Sequence, residues 1–114
     1  IYGHDTGDKV LRMVATTLQQ STRKNDAVGR WGGEEFLVIL DDLSTPDALK
    51  FVCEKLRTLV EFSRLDLADT SLNATISIGA TLLTPNDTPE SLVRRADTLM
   101  YQSKQAGRNR VSVG

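Results

Sequence analysis

The sequence predicts an α+β fold in which helices flank a mostly antiparallel sheet. Its segments follow the order helix, hairpin, helix, strand, helix and short strand. Only Gly32-Gly33 separates the two strand-like runs of the hairpin, a strong turn signal because glycine reaches positive φ without strain. Antiparallel strands mixed with helices are typical of a ferredoxin-like sandwich. The 114 residues suit one domain, residues 1–114.

The first helix and the hairpin are predicted from capping and periodicity. Thr6 is the predicted N-cap residue. A stripe of apolar residues with helical spacing follows at Val10, Leu11, Val14, Ala15 and Leu18. The hairpin strands are predicted over 26–31 and 34–40. Because 36–40 is apolar without a break, we expect that strand to be covered on both faces.

Two Thr-Pro pairs predict the other helices. Thr45 and Thr88 are each followed by proline, the pattern of an N-cap and a first helical residue. Gly107 is the predicted glycine just past the end of the last helix. Alternation over 74–82 predicts a strand, 111–113 a short final strand, and 63–71 an irregular segment.

Composition narrows the function classes. The formal net charge is -1, which argues against a nucleic-acid-binding protein but leaves room for a nucleotide site. The single cysteine fits a reducing compartment, so we expect a cytoplasmic domain. No apolar run approaches the roughly 20 residues of a membrane span, and we expect no direct membrane contact.

The hairpin tip is the first candidate site. Gly32 and Gly33 would let a ligand approach the backbone, and Glu34 and Glu35 are hard oxygen ligands of the kind that Mg²⁺ prefers beside phosphates. Judged from these residues alone, an exposed polar turn is the more common outcome. Trp31, just before the turn, is predicted to pack against neighbouring residues.

Four ordered blocks of sequence resemble the GGDEF domain family of diguanylate cyclases. The string 32–36 reads GGEEF, a variant of the family signature. Gly3-His4 with Gly7-Asp8 and Leu11 is similar to the family's GH-x-x-GD-x-x-L segment, and 75–79 to its T-x-S-x-G strand. The closing helix resembles AD-x-x-(L/M)Y-x-x-K-x-x-GRN over 96–109. The resemblance implies a nucleotidyl-cyclase type of sandwich.

The resemblance also implies roles for the site residues. Glu34 and Glu35 would bind Mg²⁺ or Mn²⁺, and Glu35 would help to activate the 3′-hydroxyl of GTP. Gly32 and Gly33 would lie against the nucleotide. Asp8 would accept hydrogen bonds from guanine, although a helix-dipole role in the first turn is an alternative explanation.

The resemblance implies binding roles for two further pairs of charged residues, and each pair also has an ordinary structural explanation. Lys104 and Arg108 match residues that bind the triphosphate, but cations near a helix C-terminus are common. Arg23 and Asp26 match an Arg-x-x-Asp site for inhibitory cyclic di-GMP, and five residues separate Asp26 from Gly32. The alternative for this pair is a surface salt bridge.

The expected function is condensation of two GTP into cyclic di-GMP and two pyrophosphates by a homodimer under an upstream sensory or regulatory domain. The family's first strand, with a further metal-binding aspartate and a phosphate-binding loop, has no counterpart in this sequence. We therefore expect these 114 residues alone to be inactive. The alternatives are an inactive domain that binds GTP or cyclic di-GMP to regulate a neighbouring domain, and a purely structural interaction domain.

Overall fold

The structure is a computed structural model that describes the backbone of residues 3–114 and the side chains of residues 5–114. Three helices and six strands follow one another in this range: α1 (Gly3–Gln20), β1 (Ala27–Gly32), β2 (Glu35–Ile39), α2 (Pro46–Glu61), β3 (Leu65–Asp66), β4 (Ser71–Leu72), β5 (Ile78–Ala80), α3 (Pro89–Gln105) and β6 (Val111–Val113). β1 pairs with β2 and β3 with β4 in antiparallel fashion, whereas β5 and β6 are parallel. The predicted α+β class is confirmed.

The chain divides into two compact units, and the described part of the first comprises residues 3–41 and 59–74. It contains α1, which packs against β1. Val14 and Leu18 are buried one helical turn apart, at the centre of the predicted apolar stripe. The predicted N-cap at Thr6 is wrong, because α1 already includes Gly3. Asp5 lies in the first turn, where a carboxylate complements the helix dipole, so the helix extends ahead of Thr6.

The coverage of β2 differs from the prediction. Residues 35–38 are half-buried, and Ile39 is 60% exposed. Within residues 3–114, β2 has β1 as its one hydrogen-bonded neighbour. An unbroken apolar run therefore does not correspond to a strand covered on both faces in this part of the chain.

Two other segments also differ in extent. The stretch 63–71, predicted to be irregular, contributes β3 and the first residue of β4, paired in the register Leu65 with Leu72 and Asp66 with Ser71. The Ser71 hydroxyl donates to the Asp66 carboxylate at 2.6 Å. The strand predicted over 74–82 is hydrogen-bonded only over β5, because β6 supplies just three partners.

The second unit comprises Asp42–Thr58 and Thr75–Gly114. Both predicted helix starts are confirmed. Thr45 Oγ1 accepts the Ala48 N–H at 3.1 Å, and Thr88 forms a capping box with Ser91. Buried residues of α2 in this unit repeat with helical spacing at Leu49, Cys53 and Leu56. Burial raises the pKa of the Cys53 thiol to about 11, so it behaves as a small apolar side chain.

β5, α3 and β6 pack closely in the second unit. The fully buried Ser103 hydroxyl of α3 donates to the Ile78 carbonyl at 2.8 Å and lies 2.8 Å from the Ser112 hydroxyl. α3 ends before Gly107, whose φ of 124° confirms the predicted helix-ending glycine. Within residues 3–114, no helix combines the length and apolar character needed to cross a membrane.

Candidate functional site

The hairpin tip turns one residue later than the sequence predicts. Gly32 pairs with Glu35, so Gly33 and Glu34 are the two turn residues. Of these two turn residues, Gly33 has positive φ, at 53°, and Glu34 does not. Glycine suits the first turn position because it adopts positive φ without strain. The prediction of a Gly32-Gly33 turn is wrong because β1 contains an irregularity between Arg30 and Gly32 that moves the register by one residue.

Open space surrounds both glycines of the tip. A side chain placed on Gly32 or Gly33 would meet no atom within 4 Å. The φ of Gly33 explains that glycine, but neither its φ nor its neighbours require glycine at Gly32. The backbone of Gly32 is therefore open to direct contact from outside the hairpin.

Arg30 braces the turn from the strand side. Its Nε donates to the Gly33 carbonyl oxygen at 2.9 Å. The sequence offered no local signal for this contact, which depends on the displaced turn. Trp31, predicted to pack, is instead 60% exposed beside Gly32. The tip thus presents an aromatic ring and open backbone to solvent.

Two carboxylates follow the open backbone. Glu34 is exposed in the turn, and Glu35 is half-buried at the first position of β2. Among residues 5–114 neither carboxylate has a hydrogen bond or ion pair, and no third acidic, histidine or cysteine side chain joins them in a metal-binding group. Two unpaired carboxylates fit Mg²⁺ or Mn²⁺, because Mg²⁺ is commonly held by one or two carboxylates together with substrate phosphates and water.

Asp8 lies on the exposed surface of α1 in the same unit. Because the helix includes Gly3, Asp8 is the sixth helical residue rather than a first-turn residue. The helix dipole acts mainly within the first turn, which Asp5 occupies. The dipole explanation for Asp8 is therefore weaker than the sequence suggested, and its carboxylate is available to a hydrogen-bond donor.

Arg23 and Asp26 form an ion pair with very different exposure. The Asp26 side chain is 2% exposed and accepts the backbone N–H groups of Arg23 and Asp41, both at 2.8 Å. The Asp41 N–H, as the largest single cause, and the Arg23 contacts hold the pKa of Asp26 below its usual value. Arg23 is 57% exposed and also donates to the Asp41 carbonyl. Asp26 thus links the residues just before β1 to those just after β2. Arg23 is the member of the pair that is accessible to solvent.

Lys104 and Arg108 belong to the second unit. Lys104 is half-buried in the last turn of α3, and Arg108 is exposed three residues beyond the helix end. The Arg108 backbone is left-handed, with φ of 64°. Both cations lie at the negative end of the α3 dipole, which favours positive charge there. The dipole does not account for the left-handed backbone of Arg108.

Comparison with known proteins identifies the family. The family model for the diguanylate cyclase GGDEF domain matches residues 1–110. The response regulator PleD of Caulobacter vibrioides is 45% identical over 113 residues, covering 96% of this chain and 25% of PleD. Diguanylate cyclase A of Treponema denticola is 42% identical over 113 residues, covering 98% of this chain and 30% of that protein. The chain thus spans about a quarter to a third of these relatives.

Solved structures agree with the sequence comparison. Diguanylate cyclase SiaD from Pseudomonas aeruginosa, in complex with its activator SiaC, matches with a TM-score of 0.92 and 34% identity over 99% of this chain and 43% of SiaD. The GGDEF domain of DgcB from Caulobacter crescentus, in complex with c-di-GMP, matches with a TM-score of 0.88 and 34% identity over 98% of this chain and 67% of that one. The chain therefore belongs to the diguanylate cyclase GGDEF domain family.

Proposed function

We propose that this domain, in its full-length protein, condenses two GTP molecules into cyclic di-GMP and releases two pyrophosphates. The observation that carries the proposal is the pair of carboxylates of Glu34 and Glu35, which have no partner among residues 5–114, beside the open backbone of Gly32 and Gly33. Family membership supports it, because the matching relatives include proteins named as diguanylate cyclases.

The chain must perform three tasks in this reaction. The 3′-oxygen of one GTP forms a bond to the α-phosphorus of the other, and the bond from that phosphorus to the pyrophosphate oxygen breaks. The same exchange in the opposite direction closes the ring, and two protons leave the two hydroxyl groups. The chain must accept those protons, hold the triphosphates and select guanine.

The residues fit these tasks as follows. Glu34 and Glu35 would hold Mg²⁺ or Mn²⁺, and the cation would stabilise charge on the attacking and leaving oxygens. Glu35 would orient and deprotonate the 3′-hydroxyl. Asp8 would accept from the N1–H and 2-amino groups of guanine, a pair of donors that adenine does not present.

The remaining parts of the proposal concern binding of the triphosphate and pairing with a second copy of the domain. Lys104 and Arg108 would contact the triphosphate, where an arginine fork suits phosphate oxygens. Each domain would bind one GTP, so two copies would face each other in an active homodimer. We place the domain in the cytoplasm, where GTP is available, under the control of another domain of the same protein.

A turnover assay tests this proposal. Full-length protein is incubated with GTP, with and without Mg²⁺, and pyrophosphate and the cyclic dinucleotide are quantified. We expect metal-dependent formation of both, in a ratio of two to one. A folded, dimeric protein that produces neither would contradict the proposal.

The exposed Arg23 favours a second property of the domain, binding of cyclic di-GMP at the Arg23/Asp26 pair. In an active enzyme this binding would be feedback inhibition. In a domain without turnover it would be the whole function, that of a regulatory receptor. Cyclic di-GMP binding by calorimetry, combined with the turnover assay, separates the two: binding without turnover favours the receptor, and no guanine-nucleotide binding at all favours a structural domain.

A further inference from the structure

The connection from α3 to β6 runs through three consecutive residues with positive φ. Gly107 has a φ of 124°, Arg108 of 64° and Asn109 of 48°. Glycine adopts this region freely and asparagine often does, but a residue with a long side chain such as arginine enters it only at a cost in free energy. Surrounding contacts must therefore hold this connection in place.

The first half of the connection is held by the helix that precedes it. The Arg108 N–H donates to the Ser103 carbonyl at 2.9 Å, and the Gly107 N–H to the Lys104 carbonyl at 3.4 Å. This pair of bonds is the Schellman arrangement that closes many helices. It fixes Gly107 but leaves the backbone after Arg108 dependent on other contacts.

Asn109 is held through both its backbone and its side chain. Its N–H donates to the Ser77 hydroxyl at 3.2 Å. Its side-chain oxygen accepts from Arg57 Nη1 at 2.9 Å. Arg57 lies in α2, 52 positions earlier in the chain, so this bond anchors the connection to a separate helix of the same unit.

Arg57 is itself oriented by its neighbours on α2. Its side chain is 18% exposed. Nε lies 3.3 Å from a Glu54 carboxylate oxygen, and Nη2 lies 3.3 Å from the Thr58 hydroxyl. Three nitrogens of one planar group thus have separate partners, an arrangement that a lysine could not reproduce.

We propose that Arg57 is a positioning residue for the phosphate-binding end of α3. By holding Asn109 it fixes the left-handed backbone of Arg108, and because φ and ψ set the direction of the Cα–Cβ bond, it also sets where the Arg108 guanidinium points. The inference rests on the proposed function, in which Lys104 and Arg108 bind the triphosphate of GTP. Pre-positioning of this kind strengthens binding by reducing the ordering required when the ligand arrives.

Steady-state kinetics of the full-length protein test the role. For Arg57→Gln we expect the KM for GTP to rise about tenfold while kcat changes by less than about threefold, because triphosphate contacts act in the ground state and the transition state alike. Asn109→Ala, which removes the same hydrogen bond from the other side, should behave similarly. Arg94→Gln, at an exposed position of α3, makes the same chemical change away from Asn109 and should leave KM unaltered.

A double substitution separates positioning from a general loss of stability. Glycine accepts a φ of 48° without side-chain support but cannot bond to Arg57. In an Asn109→Gly background, Arg57→Gln should therefore raise KM by less than about twofold further. Denaturant unfolding checks that each variant is folded, and if Arg57→Gln is not, Asn109→Ala decides.

The outcomes distinguish this inference from the function on which it rests. An active wild-type protein with an unchanged KM in folded Arg57→Gln and Asn109→Ala would overturn the positioning role alone. If Arg57→Gln raised KM as much in the Asn109→Gly background as in wild type, that result would also overturn it. A wild-type protein that neither binds nor converts GTP would overturn both the role and the proposed function.

Discussion

At the residue scale, Asp26 combines burial with two charge-assisted backbone bonds. The Asp41 N–H is the largest single cause of its lowered pKa. The ionised form therefore stabilises the folded state above the ordinary pKa of 3.8, and that contribution is lost as the pH falls below this value towards the folded-state pKa. We expect Asp26→Asn to lower the free energy of unfolding by about 1–2 kcal/mol at pH 7. The deficit relative to wild type should shrink at pH 3.

Denaturant unfolding at both pH values measures this effect. Asp69→Asn, at an exposed position in the same unit, is the matched control and should change stability little at either pH. A deficit for Asp26→Asn that is equally large at pH 3 and pH 7 would show that the carboxylate charge is not what Asp26 contributes.

Arg23 carries the residue-scale prediction about product binding. Its side chain is 57% exposed, and a guanidinium is suited to a phosphate or a guanine edge. In an active protein, Arg23→Ala should weaken inhibition by cyclic di-GMP about tenfold or more, as expected for loss of a charged hydrogen bond. The initial rate with GTP should change little. Lys24→Ala, which removes an exposed cation one residue away, should leave the inhibition constant unchanged.

Inhibition curves for the three proteins decide the question. An unaltered inhibition constant in Arg23→Ala would leave Arg23 and Asp26 as a purely structural pair. Product binding at this pair is allosteric only if cyclic di-GMP favours an arrangement of the protein that is less productive.

At the element scale, β5 and α3 approach so closely that Gly79 has no room for a side chain. A Cβ on Gly79 would lie 2.0 Å from the Met100 amide nitrogen and 2.2 Å from the Ala96 carbonyl oxygen. These atoms belong to the helix backbone and cannot rotate away. We expect Gly79→Ala to destabilise the domain by about 3 kcal/mol or more, since strand and helix must separate.

Thermal or denaturant unfolding of Gly79→Ala measures this cost. Gly29→Ala in β1 is the matched control, because a Cβ there meets no atom within 4 Å. We expect that substitution to change stability by less than about 1 kcal/mol. Similar stabilities for the two variants would mean that α3 and β5 do not approach as closely as described.

Local signals predicted the elements better than their pairing. The caps at Thr45 and Thr88 and the glycine at Gly107 were predictable because each depends on residues a few positions apart. The displaced turn at Gly33 was not, because it follows from the strand register. β3 and β4 are two residues each, too short for periodicity to reveal.

The same limit applies to the candidate site. Motifs identified the glycines and carboxylates of the tip, and their catalytic roles remain predictions. The contacts that brace the candidate residues were not visible in the sequence. Arg57 reaches Asn109 across 52 positions, and Asp26 reaches Asp41 across 15. Contacts of this separation depend on tertiary structure, which propensity and spacing do not encode.

At the scale of the whole molecule, sequence and structure both assign the chain to the diguanylate cyclase GGDEF domain family. The match over residues 1–110 and the TM-score of 0.92 to a diguanylate cyclase fix family and fold. The proposed condensation of GTP would further require that two domains meet, each with one nucleotide. The chain spans 25% of PleD, so the proposed activity is tested in the full-length protein.

The most direct test is the initial rate of cyclic di-GMP formation by the full-length Glu35→Gln protein with GTP and Mg²⁺. This change removes one negative charge and one of the two oxygens of the carboxylate proposed to bind the metal, while preserving size. Glu90→Gln, at an exposed position of α3, is the matched control. We expect Glu35→Gln to lose at least about a hundredfold in rate, as for a general base or metal ligand, while wild type and Glu90→Gln remain active. An active wild type with undiminished turnover in Glu35→Gln would contradict the assignment of catalysis to the hairpin tip.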